Sequence, residues 1–442
     1  MNIAITIILL AGATQIRAEQ QLAAAGEDFL LQEVRLLNRL LESPQETLRQ
    51  DLIAVADGLV DYQHLTDASF GDYCESSLSS YRDTKGEGEL ETLIGNCQKD
   101  LATAYRARLL GDFARLVRYN VGGAIRILGY DLRSDSGIVR ARLSSSQGEF
   151  DLEIALRHRN GFWKVVDLSI GQTLVTRHYR KLGQSVAKAK YSLPVMLAKL
   201  ENRSHIVLED FSSSAVGELP SGWGWRDRDD NKPKPYKVSA SKDRHFLAAK
   251  DSGGSVILLK FSHWNPREFP ILTWCWRVNA LPPGGDERYD DTNDSAAGLY
   301  VNFSTNWIGL PKYIKYVWSS TLPVGTIDRR KRIARPWFFV VESGENNLGK
   351  WIFEKTDLSR DYQRIYSEQP AKRTIGLGIL SDANSTQSVA HADYADFRAW
   401  TREADLNGTV YDHCKCDSGE MSTTEHRDYG SNISLATMEE RE

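Results

Sequence analysis

Two oxygen-rich turns hold side chains whose types and spacing suggest chemistry. Asp290, Asp291 and Asp294 follow Gly284-Gly285, and Asp382, Asn384 and Thr386 lie on a second turn. Hard cations take such ligands. The Asp-x-Asn-x-Thr spacing lacks the Gly and the distal Glu of an EF-hand loop, and Asx-capped turns use the same residues. Trp274, Trp276, Trp318 and Trp337 offer flat faces that suit either a sugar-stacking groove or the packing between sheets. Arg329-Arg330-Lys331-Arg332 is the densest basic run. It reads as a solvated loop or as a contact for anionic lipid head groups or an acidic partner. His413-Cys414-Lys415-Cys416 has no second ligand pair and is a poor zinc motif. The sequence has no G-x-S-x-G, H-E-x-x-H or P-loop, and its His residues lack ligand spacing. The residues therefore predict a binding protein rather than an enzyme, with no catalytic residue, metal or cofactor.

The elements that position these residues fall into two styles. The chain has 442 residues, 41% hydrophobic and 26% charged, which is enough for two or three soluble domains. Its formal net charge of −4 gives no reason to expect a nucleic-acid partner. Residues Ile3 to Ala13 form an apolar run too short to span a bilayer. With Ile16-Arg17-Ala18 they read as a signal peptide over residues 1–18, although no Lys or Arg precedes the run. Export would let Cys74 pair with Cys97, and two unpaired buried thiols are the alternative.

From Glu19 to Gly123 the pattern is helical. Phe29, Leu30, Val34, Leu37 and Leu41 make one apolar face, and Ser43-Pro44-Gln45-Glu46 reads as a helix start. A helix from Leu90 to Leu110 and another from Asp112 are expected, ending at Gly122-Gly123. Alternation then takes over. Val139, Ala141 and Leu143, then Phe150, Leu152, Ile154 and Leu156, then Trp163 and Val165 predict an antiparallel meander with one buried face. A last helix is expected from Leu174 to Leu200. After a boundary near Asn202 to Ile206, Trp-rich short strands separated by Gly/Pro turns predict an all-β sandwich, jelly-roll-like, over 207–401. Residues 402–442, polar and acidic, are expected to be a disordered tail.

The segment Asn160-Gly161-Phe162-Trp163-Lys164-Val165-Val166-Asp167-Leu168-Ser169-Ile170-Gly171-Gln172-Thr173-Leu174-Val175, continuing as Thr176-Arg177-His178-Tyr179-Arg180, resembles the MlaC-type periplasmic phospholipid-binding family (toluene-tolerance, ABC transporter auxiliary proteins). Phe70-Gly71-Asp72-Tyr73 and the helix from Asp112-Phe113 to Tyr119 fall in matching order, so the resemblance covers 19–203. It implies an α+β lipid-carrier domain, helices around a small antiparallel sheet. It also implies a deep apolar cavity for two acyl chains. The implied partners are phospholipid, an inner-membrane ABC lipid-transport complex and an outer-membrane acceptor complex. A cavity hiding roughly 30 methylenes, at ~0.8 kcal/mol each, must have apolar walls. The candidate lipid-binding residues are Phe113, Leu116, Tyr119, Ile125, Leu152, Ile154, Trp163, Val165, Leu174 and Tyr179, each of which also suits plain core. Arg180 suits a phosphate at the mouth or an ion pair with Asp167.

The second half is similar to an uncharacterised, usually secreted bacterial β-sandwich family of unknown function. The resemblance lies in Leu272-Thr273-Trp274-Cys275-Trp276-Arg277-Val278, Ala297-Gly298-Leu299-Tyr300-Val301-Asn302-Phe303, Gly376 to Thr386, and Asp393-Tyr394-Ala395-Asp396-Phe397, with Asn384 where an Asp is usual. This family supplies a fold and no reaction. Two functions are therefore expected: a periplasmic phospholipid carrier between inner and outer membranes with an appended docking sandwich, or a secreted carbohydrate- or polymer-binding protein that works through the sandwich.

Overall fold

The computed structural model describes residues 28, 31–42, 48–79, 87–159, 161–242, 244–305, 311–329 and 336–414. The expected signal peptide, the Ser43-Pro44-Gln45-Glu46 helix start, Arg330 to Arg332 and residues 415–442 lie outside the described residues.

The first half is helices and a small sheet. Helices α1 (31–42), α2 (Leu48–Leu59), α3 (Tyr62–Phe70), α4 (Tyr73–Ser77) and α5 (Glu87–Tyr119) come first. Two helices were expected where α5 runs unbroken for 33 residues. Gly111 is weakly helical but breaks nothing on an exposed face, and Arg108 pairs with Asp112 one turn on, bracing that stretch. The stop comes where the two glycines predict it. Gly122 takes φ +74, and a Cβ at Gly123 would lie 2.8 Å from the Asn120 carbonyl oxygen.

Strands β1 (Ala124–Leu132), β2 (Ser136–Ser145), β3 (Gly148–Arg159), β4 (Phe162–Ile170) and β5 (Thr173–Leu174) then form an antiparallel meander in sequence order. The expected single helix to Leu200 is two, α6 (Val175–Lys188) and α7 (Leu193–Leu200). Pro194 has no N–H to continue a helix from upstream but suits the first turn of a new one, and Lys190 turns at φ +54 between them.

The second half is a sandwich of two sheets. Its strands are β6 (His205–Glu209), β7 (Tyr236–Ser241), β8 (Arg244–Asp251), β9 (Leu258–Phe261), β10 (Ile271–Ala280), β11 (Ala297–Thr305), β12 (Pro311–Ser319), β13 (Ile327–Arg329), β14 (Trp337–Ser343), β15 (Ile352–Asp357), β16 (Gly376–Leu380) and β17 (Ala390–Trp400). One sheet runs β15-β10-β17-β8-β7 with β6 also on β17; the other runs β13-β14-β12-β11-β16-β9, with β12 and β14 parallel. Helices α8 (Leu358–Tyr366) and α9 (Arg402–Leu406) follow β15 and β17. Trp274, Trp276, Trp318, Tyr316, Phe303 and Phe397 fill the space between the sheets and are all but sealed from solvent.

The ordered chain does not stop at Trp400. Through α9 it continues to Cys414, which is disulfide-bonded to Cys275 on β10. Residues 402–414 are thus not the disordered segment expected. Few apolar residues suffice because Ala404 and Val410 pack on Ile271 and Trp400, and a covalent bond holds the end.

Candidate functional site

The sheet of the first half has two opposite faces, as a period of two requires. Ladder partners point the same way, so the registers define the inner face. Ile125 and Ile127 pair with Leu143 and Ala141, and Tyr130 with Val139. Phe150, Leu152, Ile154 and Leu156 extend these rows, followed by Ile170, Leu168 and Val165. Every one of these is apolar or aromatic. The outer face carries charge instead. Arg142 pairs with Asp151 at 2.7 Å, and Arg140 approaches Glu153 at 3.6 Å.

The inner face packs in two clusters. At one end Leu41 of α1 with Leu116 and Val117 of α5 packs on Leu143, Leu152, Ile125 and Ile170. At the other end Val139, Leu156 and Trp163 cluster with Ile127, Leu132, Ile154 and Val165, and among the described residues this cluster contains sheet side chains alone. Ile125, Ile127, Ile154, Val165, Leu168 and Ile170 are half-buried, and Tyr130 is 44% exposed. The sandwich core is different in kind, with most of its members at 0%. The indole N–H of Trp163, itself 5% exposed, has no hydrogen-bond acceptor among the described residues.

The expected wall residues divide accordingly. Leu116, Ile125 and Leu152 meet at the covered end; Ile154, Trp163 and Val165 meet at the other. Phe113 faces the helical core and the α1–α2–α5 contact. Leu174 is half-buried at the α6 entry, and Tyr119 is 48% exposed at the α5 terminus. Tyr179 belongs to the helical core, its ring 4.8 Å from that of Tyr105, and its hydroxyl donates to Asp112 at 2.6 Å while accepting from Arg108. Burial first, then the Asp112 carboxylate, pushes the Tyr179 hydroxyl well above its ordinary pKa. Arg180 donates from Nε and Nη2 to the Ala68 carbonyl at the end of α3, at 3.0 and 2.6 Å. It lines a surface pocket of about 220 Å³ with Asp67, Phe70, Asp72 and Gly183. Its other expected partner, Asp167, instead accepts from the Thr176 amide and hydroxyl, capping α6 from β4. A sequence without a partner list cannot distinguish that cap from an ion pair.

Of the two roles that the sandwich Trp faces suit, packing between the sheets is the one taken by Trp274, Trp276 and Trp318. Trp274, Trp276 and Trp318 are at 0% exposure between the sheets, and Trp337 is half-buried under Arg329. The two oxygen-rich turns do meet. Asp294 accepts from the Ser385 and Thr386 amides and the Thr386 hydroxyl, which closes the turns on each other. Beneath them lies a buried chain that sequence reasoning missed. Lys315 Nζ donates to Ser295 Oγ, Ser295 donates to Glu287, and Ser319 donates to the other Glu287 oxygen. Burial pushes the neighbouring Asp382 carboxyl up to about 6, with Lys315 opposing and Asp294 adding to the rise. All of these groups are nearly sealed from solvent. No local signal marks Lys315, because it sits in an alternating strand where it reads as an outward charge.

Among the described residues the cysteines are paired. Cys74 bonds Cys97, one of the two expected states. Cys414 of the C-x-C bonds Cys275, so the cluster Cys275, Asp396 and His413 has no thiolate to offer a metal. Among the described residues no helix is long and apolar enough to cross a membrane.

Comparison with known proteins adds little to this geometry. A search of curated proteins finds no match. A phospholipid-binding protein from Ralstonia solanacearum, solved with a phospholipid, overlays 39% of this chain and 93% of its own at 12% identity and a TM-score of 0.31. The carbohydrate recognition domain of Emp47p overlays 45% of this chain and 94% of its own at 12% identity and a TM-score of 0.24. At those scores neither overlay bears on what this chain does. Residues 222–398, most of the sandwich, match the family model described as Protein of unknown function (DUF3047).

Proposed function

We propose that the first half carries a phospholipid, with its acyl chains against the inner face of the β1–β4 sheet and its head group toward the exposed Tyr130 edge. One observation carries this reading: an apolar sheet face on which Ile127, Ile154, Val165 and Leu168 stay half-buried around the buried Val139, Leu156 and Trp163, beside a second domain whose core is closed. Burying a methylene there returns ~0.8 kcal/mol, so two acyl chains offer ample drive. The unpaired Trp163 N–H supplies one donor for an ester or phosphate oxygen of the guest. The MlaC-type resemblance of Trp163 to Arg180 supports the same cargo. It suggests exchange with an inner-membrane ABC complex and an outer-membrane acceptor. Two disulfides fit an oxidising envelope compartment such as the periplasm.

A fluorescent phospholipid whose signal rises on leaving vesicles tests the proposal. The full chain should extract it, and Ile154→Asp, which puts a carboxylate in the apolar wall, should lower extraction at least ~tenfold. No extraction by the unmodified protein would contradict the reading.

A further inference from the structure

We propose that the solvent face of α6 docks the protein on an anionic bilayer surface. The helix reads Val-Thr-Arg-His-Tyr-Arg-Lys-Leu-Gly-Gln-Ser-Val-Ala-Lys and contains no Asp or Glu. Thr176, Tyr179, Gly183 and Val186 fill its buried side. Arg177, Lys181, Gln184 and Lys188 follow at spacings of four, three and four, so they stand in one row about 16 Å long. All four are exposed.

Several basic side chains elsewhere find carboxylates: Arg106 with Asp57, Arg142 with Asp151, Lys260 with Glu209, Arg277 with Asp393. Among the described residues Arg177, Lys181 and Lys188 form no ion pair. Arg180 is left out of the row because it holds the Ala68 carbonyl and shares its pocket with Asp67 and Asp72. The chain as a whole is slightly acidic, at −4, so this stripe is a local feature and not an average.

A bilayer fits the row better than a folded partner does. Protein interfaces are anchored by buried aromatic or Arg side chains seated in pockets. The α6 row has point charges in line and no aromatic on that side, an arrangement suited to a fluid sheet of phosphates. His178 is exposed beside the row. The docking stands on charge placement alone and does not depend on whether the sheet holds a lipid.

Cosedimentation of the full chain with vesicles of phosphatidylglycerol and phosphatidylethanolamine, against phosphatidylcholine vesicles, measures it. Binding should favour the anionic vesicles and fall as salt rises. The triple variant Arg177→Gln, Lys181→Gln, Lys188→Gln should lower the partition coefficient about a hundredfold at low salt, from about a decade or less per charge. Its melting temperature should match that of the unmodified protein, since all three side chains are exposed. Equal binding to anionic and zwitterionic vesicles, or an undiminished partition of the variant, overturns the proposal and leaves the stripe to an acidic protein partner. Lipid extraction by the same variant is scored separately, so failure here and failure of the carrier reading are distinguishable.

Discussion

At the scale of residues, polar groups in this protein mostly build rather than react. Tyr179 joins α6 to Asp112 of α5 through a 2.6 Å bond. Tyr179→Phe should cost about 1–2 kcal/mol of stability and leave lipid extraction unchanged, read by denaturant titration; a loss of extraction at full stability would return Tyr179 to the lipid wall. Glu354 on β15 accepts from the Trp276 indole at 3.1 Å. Burial pushes its carboxyl from 4.5 up to about 8, against the stabilising pull of that indole. The folded state then keeps a proton that the unfolded state has released, so this group makes stability fall as pH rises from about 4.5 to about 8. Glu354→Gln should therefore unfold later than the unmodified protein at pH 8 and converge with it near pH 4.5. A gap between the two that does not change across that window would contradict the assignment. Residue roles were the least legible part of the sequence. Asp167 reads as an Arg180 partner until the fold shows the α6 amides beside it, and Lys315 gives no sign that it is buried.

At the scale of elements, periodicity carried the meander and its turns, because each strand has one apolar face and each turn its Gly, Asn or Asp. It misjudged helix ends. Gly111 looks like a break and is tolerated inside α5, whereas Pro194 lies inside an apolar run and begins a new helix. The short α7 is apolar on two sides: Val195 and Ala198 sit in the sandwich core, and Met196 and Leu200 in the helical core. Lys199 also pairs with Glu268, and Ser192 exchanges hydrogen bonds with His263. The halves should therefore unfold together. Met196→Ala should cost about 2–4 kcal/mol and lower a single calorimetric transition; two transitions, with only the first displaced, would show that α7 does not couple them. The Cys275–Cys414 bond spans 139 positions and pins the segment after β17. Replacing both cysteines with Ser should cost about 2–5 kcal/mol in thermal or denaturant unfolding. An unchanged midpoint would mean that the segment is held by Ala404 and Val410 without it.

At the scale of the whole molecule, the change from 3.6-residue to two-residue patterning divides the chain as the structure does, into an α+β half and a sandwich. What the pattern cannot convey is closure. Trp274 and Trp276 read equally as groove and core, since both are apolar faces on a strand, and only the second sheet makes them core. The same ambiguity runs the other way for Ile154 and Val165, which read as core and remain half-buried. That difference in closure between the two halves underlies the assignment of a guest to the first. Native mass spectrometry of the full chain, purified from the periplasm of an expressing cell, tests it most directly. A phospholipid mass held one per chain and lost in Ile154→Asp is the predicted result; a ligand-free protein from lipid-replete cells would contradict it.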